Sequence, residues 1–151
     1  SEVIMAKTSL KIQEDFTTAD DRKRLRKALD EHTEEQGLEV NPSISTTFNA
    51  KALDGRTLAS AIVTRDQEGL AKVDLLVTHK AGRKKGVGRK LLKHIEAFAR
   101  AQGDTAMHLT TSSWQAPGFY ERMGYFEMGR LPKKPDKNGK EQWELFYGKE
   151  L

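Results

Sequence analysis

Two glycines within a cluster of basic residues are the strongest chemical signal in this sequence. The segment reads Arg83-Lys84-Lys85-Gly86-Val87-Gly88-Arg89-Lys90. Glycine accepts positive φ angles and close approach of another group, so such a turn can expose its backbone N–H groups. A helix predicted to begin at residue 86 adds unpaired N–H donors and the positive end of its dipole. Together these features predict a site for a phosphorylated ligand.

The spacing of this segment differs from that of two common phosphate-binding loops. A P-loop has two glycines separated by four residues and followed by Lys-Ser/Thr, whereas Gly88 is followed by Arg89 and Lys90. A dinucleotide-binding turn has a third small residue three positions later, where this chain has Leu91. Both loops are therefore excluded.

The elements around the turn predict a mixed α/β domain, in which a long central helix crosses a mostly antiparallel sheet of six or seven strands. Apolar alternation and turn residues predict strands over 44–51, 56–65, 70–78, 106–111, 125–131 and 142–148, and a weaker one over 9–14. Helical spacing and capping residues predict helices over 18–36, 86–102 and 116–123. Asp54-Gly55 predicts a hairpin between the first two strong strands.

Composition narrows the class of protein. The chain has 151 residues, a net charge of +4 and 32% charged residues, which fits one globular domain that prefers anionic partners. We find no apolar run near the ~20 residues of a membrane helix. The sequence contains no cysteine, so a cytoplasmic location is expected and disulfides are excluded. No two of its four histidines have metal-ligand spacing, and a metal site is not expected.

Arg-x-x-Gly-x-Gly, following a Leu-x-Val strand at 75–77, resembles the acetyl-CoA-binding turn of the GNAT superfamily of N-acyltransferases. A second stretch, 113–125, is similar to the motif that this superfamily carries after the turn, with matches at Ala116, Phe119, Tyr120, Gly124 and Tyr125. Ser113 stands where the superfamily frequently has Asn. The two motifs together span about residues 73–125.

The resemblance implies a single GNAT domain over 1–151 that transfers acetyl from acetyl-CoA to a primary amine by direct attack in a ternary complex. It implies that the pyrophosphate binds the N–H groups of 83–89 and that the pantetheine arm follows 75–77. The implied cofactor-binding residues are Leu75, Leu76, Val77, Arg83, Lys84, Lys85, Gly86, Val87, Gly88, Arg89, Ser113, Phe119 and Tyr120.

The resemblance also implies catalytic roles. Tyr120 lies where the superfamily places a tyrosine near the CoA sulfur. With a reference pKa of about 10, against ~8.5 for a thiol, a tyrosine can donate a proton or a hydrogen bond to the leaving sulfur. Asp74, on the strand before the turn, is the candidate base for the amine. Two other interpretations stay open: Tyr120 as a core aromatic residue and Asp74 as a solvent-facing strand residue. The first predicted helix also carries alternative bases, which are Glu31, His32, Glu34 and Glu35.

Two other functions stay open. The basic residues of 80–93 could form a nucleic-acid-binding surface, although no recognition motif accompanies them. A non-catalytic GNAT fold that senses acyl-CoA would also fit the departure at Ser113. A small-molecule amine, a peptide N-terminus and a protein lysine all stay open as the acceptor. A homodimer formed through the sheets, with 142–148 as the edge strand, is also expected.

Overall fold

A computed structural model describes residues 10–115 and 117–151. Contacts within the chain define two units, one of residues up to Val40 and the other of Asn41–Leu151. We call them the N-terminal unit and the sheet unit, and we describe each by itself. No helix among the described residues is both long enough and apolar enough to cross a membrane.

The N-terminal unit contains one helix, α1 (Ala19–Glu35), which begins at a capping box. Thr18 Oγ1 accepts a hydrogen bond from Asp21 N (3.1 Å), and Asp21 Oδ2 accepts one from Thr18 N (2.8 Å). These two hydrogen bonds satisfy donors that have no partner inside the helix, and they confirm the predicted cap. The bonds that Thr18 N and Thr18 Oγ1 (2.8 Å) donate to Asp21 Oδ2 lower the pKa of the Asp21 carboxyl.

The predicted strand over 9–14 is wrong for residues 10–14, which form neither helix nor strand. Ser9 lies outside the described residues. A strand is stable only when a neighbouring strand satisfies its backbone N–H and C=O groups, and residues 10–14 pair with no strand among the described residues. The alternation of Leu10 and Ile12 is too short to supply that pairing by itself.

The sheet unit contains six strands in the order β1-β2-β3-β4-β6-β5, which confirms the predicted mixed α/β class. The strands are β1 (Ile44–Lys51), β2 (Thr57–Arg65), β3 (Leu70–Thr78), β4 (Ala106–Ser112), β5 (Phe126–Lys133) and β6 (Gln142–Glu150). All neighbours are antiparallel except β3 and β4. The expectation that 142–148 forms an edge is wrong, because β6 pairs on both sides and β5 takes the edge position.

The parallel pair β3–β4 is joined by a crossover helix, α2 (Val87–Ala101), as a parallel connection requires. Its apolar side contributes Leu91, Leu92, Ile95 and Ala99 to the core, as the helical spacing predicts. Phe48 of β1 packs edge-on against Phe98 of α2 at 5.2 Å between ring centroids. The side chains of β1 and β2 that alternate with these core residues therefore lie on the other face of the sheet.

The pairing between β3 and β4 is short. Only Leu70–Lys72 pair with Ala106–His108, although β3 continues to Thr78. Beyond Lys72 the two strands separate, so the backbone of 73–78 has no strand partner on its β4 side among the described residues. This opening runs beside residues 75–77, along which the resemblance implies that the pantetheine arm lies.

Candidate functional site

The basic turn leads from the end of β3 to the start of α2. A short 3-10 turn, η1 (Lys80–Gly82), follows β3 and was not predicted. A Cβ at Gly82 would lie 2.5 Å from the carbonyl oxygen of Leu58, so the turn is packed directly against the backbone of the first residues of β2. Lys84 (φ 62°) and Gly86 (φ 69°) both adopt the left-handed conformation.

The start of α2 has unused backbone donors. The first hydrogen bond of the helix runs from Lys90 N to Gly86 O (3.1 Å), so the amides of 87–89 have no acceptor within the helix. The N-cap residue Gly86 carries no side chain that could cap them. These N–H groups and the helix dipole make the turn suitable for an anion.

A cavity of about 660 Å³ lies against this turn. Its charged lining is entirely basic, and its apolar lining comes from the start of α2, from a short helix, α3 (Pro117–Arg122), and from Met123 directly after it. The lining residues are Thr78, Gly82, Arg83, Lys84, Gly86, Val87, Gly88, Arg89, Phe119, Arg122 and Met123. We call this the phosphate cavity. It brings together the predicted residues of 83–89 except Lys85.

Gly88 is buried where three elements meet. A Cβ at this position would lie 2.9 Å from Thr78 Oγ1 at the end of β3 and 3.8 Å from the Phe119 ring of α3. Contacts of 2.9 Å are closer than real Cβ atoms make, so a side chain here would force Thr78 to shift. The glycine is thus required by packing as well as by the turn.

A second cavity, of about 200 Å³, is lined by residues of β3, β4 and α3 and by one residue between β4 and α3: Leu76, Thr78, Thr111, Gln115, Phe119 and Tyr120. We call it the gap cavity, because its β3 and β4 residues lie beyond the paired part of the two strands. It shares Thr78 and Phe119 with the phosphate cavity. The two cavities therefore adjoin, and a ligand bound at the basic turn can extend toward Tyr120.

Tyr120 belongs both to an aromatic cluster and to the gap cavity. Its ring lies edge-on to Phe119 (5.1 Å) and Tyr125 (5.9 Å), and 6.2 Å from Tyr147. Burial raises the pKa of its hydroxyl above the usual value, so the phenol stays protonated at neutral pH. The two interpretations made from the sequence are therefore compatible.

A β-bulge in β3 decides which side chains face the gap cavity. Ile62 pairs with Leu75, but Val63 pairs with Val73, so Asp74 is the extra residue of the bulge. The bulge shifts the alternation by one position. Val73 is buried before it, whereas Leu76 lines the gap cavity after it.

The predicted residues at 74–77 are thus divided between two faces. Leu76 lines the gap cavity, but the side chains of Leu75 and Val77 are 58% and 47% exposed and do not line it. A contact between these two residues and a ligand in the gap would use their backbone. Asp74 is also exposed, and its Oδ2 accepts a hydrogen bond from Thr64 Oγ1 (2.5 Å).

Ser113 is bound to β6 and lines neither cavity. Its Oγ accepts a hydrogen bond from Trp143 N (3.0 Å), and its own N–H donates to Trp143 O (2.9 Å). Gln115, which the sequence analysis missed, lines the gap cavity instead. Its Oε1 accepts hydrogen bonds from Thr111 Oγ1 (2.8 Å) and Ser112 N (3.1 Å). Ala116 lies outside the described residues.

The alternative bases named from the sequence, in the range 31–35, lie on α1 in the N-terminal unit. His32 Nδ1 is 3.8 Å from Glu35 Oε2. Within residues 10–115 and 117–151, no three side chains of the metal-ligating types come together.

Comparison with known proteins adds a sequence relative and two solved structures. Blasticidin-S acetyltransferase of Streptomyces morookaense is 37% identical over 79 residues, which are 52% of this chain and 58% of that protein. The matched part is thus less than two thirds of the relative. An acetyltransferase from Bacillus cereus superposes with a TM-score of 0.73 at 23% identity, covering 93% of this chain and 98% of that one.

A second solved structure contains the expected cosubstrate. A Bacillus anthracis protein described as a streptothricin acetyltransferase was crystallised with acetyl coenzyme A, and it superposes with a TM-score of 0.59 at 17% identity over 74% of this chain and 64% of that one. At these identities both structures show a shared fold. The family model described as "Acetyltransferase (GNAT) domain" matches residues 17–135, more than half of the sequence. The chain belongs to the GNAT acetyltransferase family.

Proposed function

We propose that this chain is a single-domain N-acetyltransferase that transfers acetyl from acetyl-CoA to a primary amine by direct attack in a ternary complex. The observation that carries the proposal is that the phosphate cavity and the gap cavity, which Tyr120 lines, share Thr78 and Phe119. Family membership supports acetyl transfer in general. The cytoplasmic location and the homodimer stay predictions from the sequence.

Acetyl-CoA would bind from the basic turn toward the narrow end of the gap. Its pyrophosphate would accept hydrogen bonds from the N–H groups of 83–89, with Arg83, Lys84 and Arg89 supplying positive charge. The pantetheine amides would pair with the backbone of Leu75–Val77, whose side toward β4 has no strand partner among the described residues. Ser113 would support that arm only through the unused proton of its hydroxyl.

The thioester would then lie near Asp74. The paired part of β3 and β4 ends at Lys72, so the bulge at Asp74 lies two residues into the gap. A strand advances ~3.3 Å per residue, which places Asp74 about 10 Å from Val77. An amine that attacks at the narrow end would pass its proton to the Asp74 carboxylate.

The reaction would proceed in one transfer step. The amine nitrogen forms the new C–N bond, the C–S bond breaks, and Asp74 takes the amine proton. Tyr120 would donate a hydrogen bond to the departing sulfur. Burial raises the pKa of the Tyr120 hydroxyl, whereas a thiol has a pKa of ~8.5. Complete proton transfer from Tyr120 to the thiolate would therefore be unfavourable, and water supplies the final proton. The sequence has no cysteine, which agrees with direct transfer rather than a cysteinyl intermediate.

A panel of amines assayed by release of free CoA thiol tests the proposal. The panel should contain small-molecule amines, peptides with a free N-terminus and lysine peptides. The blasticidin-S relative makes small amino-bearing antibiotics the first class to test. We expect thiol release that depends on at least one amine. Binding of acetyl-CoA with no amine-dependent release would contradict it and favour a non-catalytic acyl-CoA sensor.

Retention on CoA-agarose and on heparin separates acetyl-CoA from nucleic acid as the ligand of the basic residues. Several of them, including Lys80, Lys90 and Lys93, lie outside the cavity lining. A nucleic-acid-binding protein would bind heparin and elute steeply with rising salt. We expect CoA-agarose to retain the chain, and free acetyl-CoA to release it at constant salt.

A further inference from the structure

We infer that Thr64 is a positioning residue, which holds the Asp74 carboxylate in place for the acceptor amine. The inference rests on the proposed function, because it takes Asp74 as the base in that reaction. Nothing in the sequence motifs points to Thr64, which lies on β2, outside the segment 73–125 that carries the family resemblance.

The contact is part of a hydrogen-bonded chain across three strands. Thr64 Oγ1 donates to Asp74 Oδ2 on β3. On β1, Ser45 is the register partner of Thr64, and its Oγ lies 2.8 Å from Thr64 Oγ1. A hydroxyl has a single proton, so Thr64 can donate to Asp74 only while it accepts from Ser45. The chain therefore runs from Ser45 to the carboxylate.

The carboxylate requires such a contact because of where it lies. Asp74 is the extra residue of a bulge, which the regular ladder leaves unpaired. Its side chain is exposed, so packing does not select its rotamer. The hydroxyl of Thr64 fixes Oδ2, and among the described residues Oδ1 has no hydrogen-bond partner. Oδ1 is the oxygen that would receive the amine proton.

The same sheet face provides a matched control. Ser60 on β2 is the register partner of Asn49 on β1, and its hydroxyl donates to Asn49 Oδ1 at 2.7 Å. This pair repeats the β1–β2 geometry of Ser45 and Thr64, but it has no contact with the carboxylate at the bulge. If the hydroxyl contacts on this face only stabilised the sheet, loss of either pair should affect the protein equally.

The experiment compares variants of the full chain with the best amine from the panel. Thr64→Val keeps the branched shape and removes the hydroxyl, Thr64→Ser restores it, and Ser60→Ala is the control. We expect Thr64→Val to lower kcat about 10-fold through misplacement of the base, with KM for acetyl-CoA and Tm unchanged. Thr64→Ser and Ser60→Ala should keep kcat within about 2-fold of the original.

A double-mutant cycle with Asp74→Asn provides a readout that a purely structural role would not change. If Thr64 acts through the carboxylate, Thr64→Val should cause no further loss in the Asp74→Asn background. An equal loss in both backgrounds, or an unchanged kcat in Thr64→Val, would overturn the inference. If the unmodified chain acetylates no amine, the proposed function fails and this inference fails with it. An active chain that is insensitive to Thr64→Val rejects the inference alone.

Discussion

The basic turn and the hydroxyl-bearing face of β1–β3 are built from different kinds of contact. The turn presents backbone N–H groups, and its shape depends on the absence of side chains at Gly82 and Gly88. The hydroxyl-bearing face instead uses the side chains of Ser45 and Thr64, which form a chain of hydrogen bonds across the strands to Asp74. The turn should therefore be most sensitive to side chains added at its glycines and less sensitive to loss of a single polar side chain. The hydroxyl-bearing face should be most sensitive to loss of a hydroxyl group.

Added side chains in the turn should have the largest effect. Gly86→Val places a β-branched residue at φ 69°, and Gly88→Val places a Cβ 2.9 Å from Thr78 Oγ1. Each should abolish acetyl-CoA binding measured by calorimetry, while circular dichroism shows the fold largely kept. Gly139→Val is the matched control, because Gly139 has φ 76° and open space around it and lies in the loop between β5 and β6. Unchanged affinity in both turn variants would remove the turn from the binding site.

Loss of one hydroxyl in the gap cavity should have the next largest effect. Tyr120→Phe keeps the ring packing and removes the donor to the leaving sulfur. We expect kcat to fall by about 10²-fold or more, while KM for acetyl-CoA and Tm move little. Tyr147→Phe, in the same aromatic cluster but outside the cavity lining, should retain kcat. A Tyr120→Phe protein with full turnover would leave Tyr120 as a core aromatic only.

The aromatic cluster around Tyr120 should make stability sensitive to alkaline pH. Burial, followed by the hydrogen bond to Glu121, raises the pKa of Tyr147 to about 12. Because the pKa is higher in the folded state, the neutral Tyr147 side chain stabilises the fold fully below the unfolded-state pKa of about 10. This contribution is lost as the pH rises toward 12. The free energy of unfolding should fall in this range by about 1.4 kcal/mol per pH unit for this group.

Denaturant titrations between pH 9 and pH 11.5 measure that loss. Tyr147→Phe should flatten the decline, because the variant has no ionisable group at this position. Burial also raises the pKa values of Tyr120 and Tyr125, so part of the decline should persist in the variant. Equal slopes for the two proteins would show that Tyr147 does not titrate with unfolding.

Removal of one cation at the phosphate cavity should have the smallest effect. Arg122 lines this cavity from α3 but is exposed, so its attraction for a phosphate is partly screened. Arg122→Ala should weaken acetyl-CoA binding about 2- to 5-fold, as expected for an exposed charge interaction of up to ~1 kcal/mol, and the difference should shrink as salt is raised. Lys137→Ala, in the β5–β6 loop, removes the same charge at a distance and should leave affinity unchanged. Equal effects of the two variants would indicate attraction by net charge alone.

The sequence predicts the turn region better than the hydroxyl-bearing face, and the reason is physical. In the turn region, the backbone conformation requires glycines, which are visible in the sequence. The apolar side of α2 is likewise visible as apolar residues at helical spacing, such as Leu91 and Ile95. These are local signals. The observed bounds of β1 and β3 agree with the predicted ones, because both strands are bounded by turn residues.

Several features that the sequence did not reveal depend on contacts between residues that are distant in sequence. The bulge at Asp74 is defined by the register between β3 and β2. The sequence of β3 alone therefore does not predict that Leu76 faces the gap cavity while Leu75 and Val77 do not. The edge position of β5 depends on β6 entering between it and β4. Gly82 is required because Leu58, distant in sequence, lies against it. No local pattern encodes these contacts.

A crystal structure with bound acetyl-CoA is the most direct test of the central claim. The account predicts a pyrophosphate on the N–H groups of 83–89, a pantetheine arm in the gap beyond Lys72, and the thioester sulfur within hydrogen-bond reach of the Tyr120 hydroxyl. A cofactor bound elsewhere, or one whose sulfur lies far from both Tyr120 and Asp74, would contradict it.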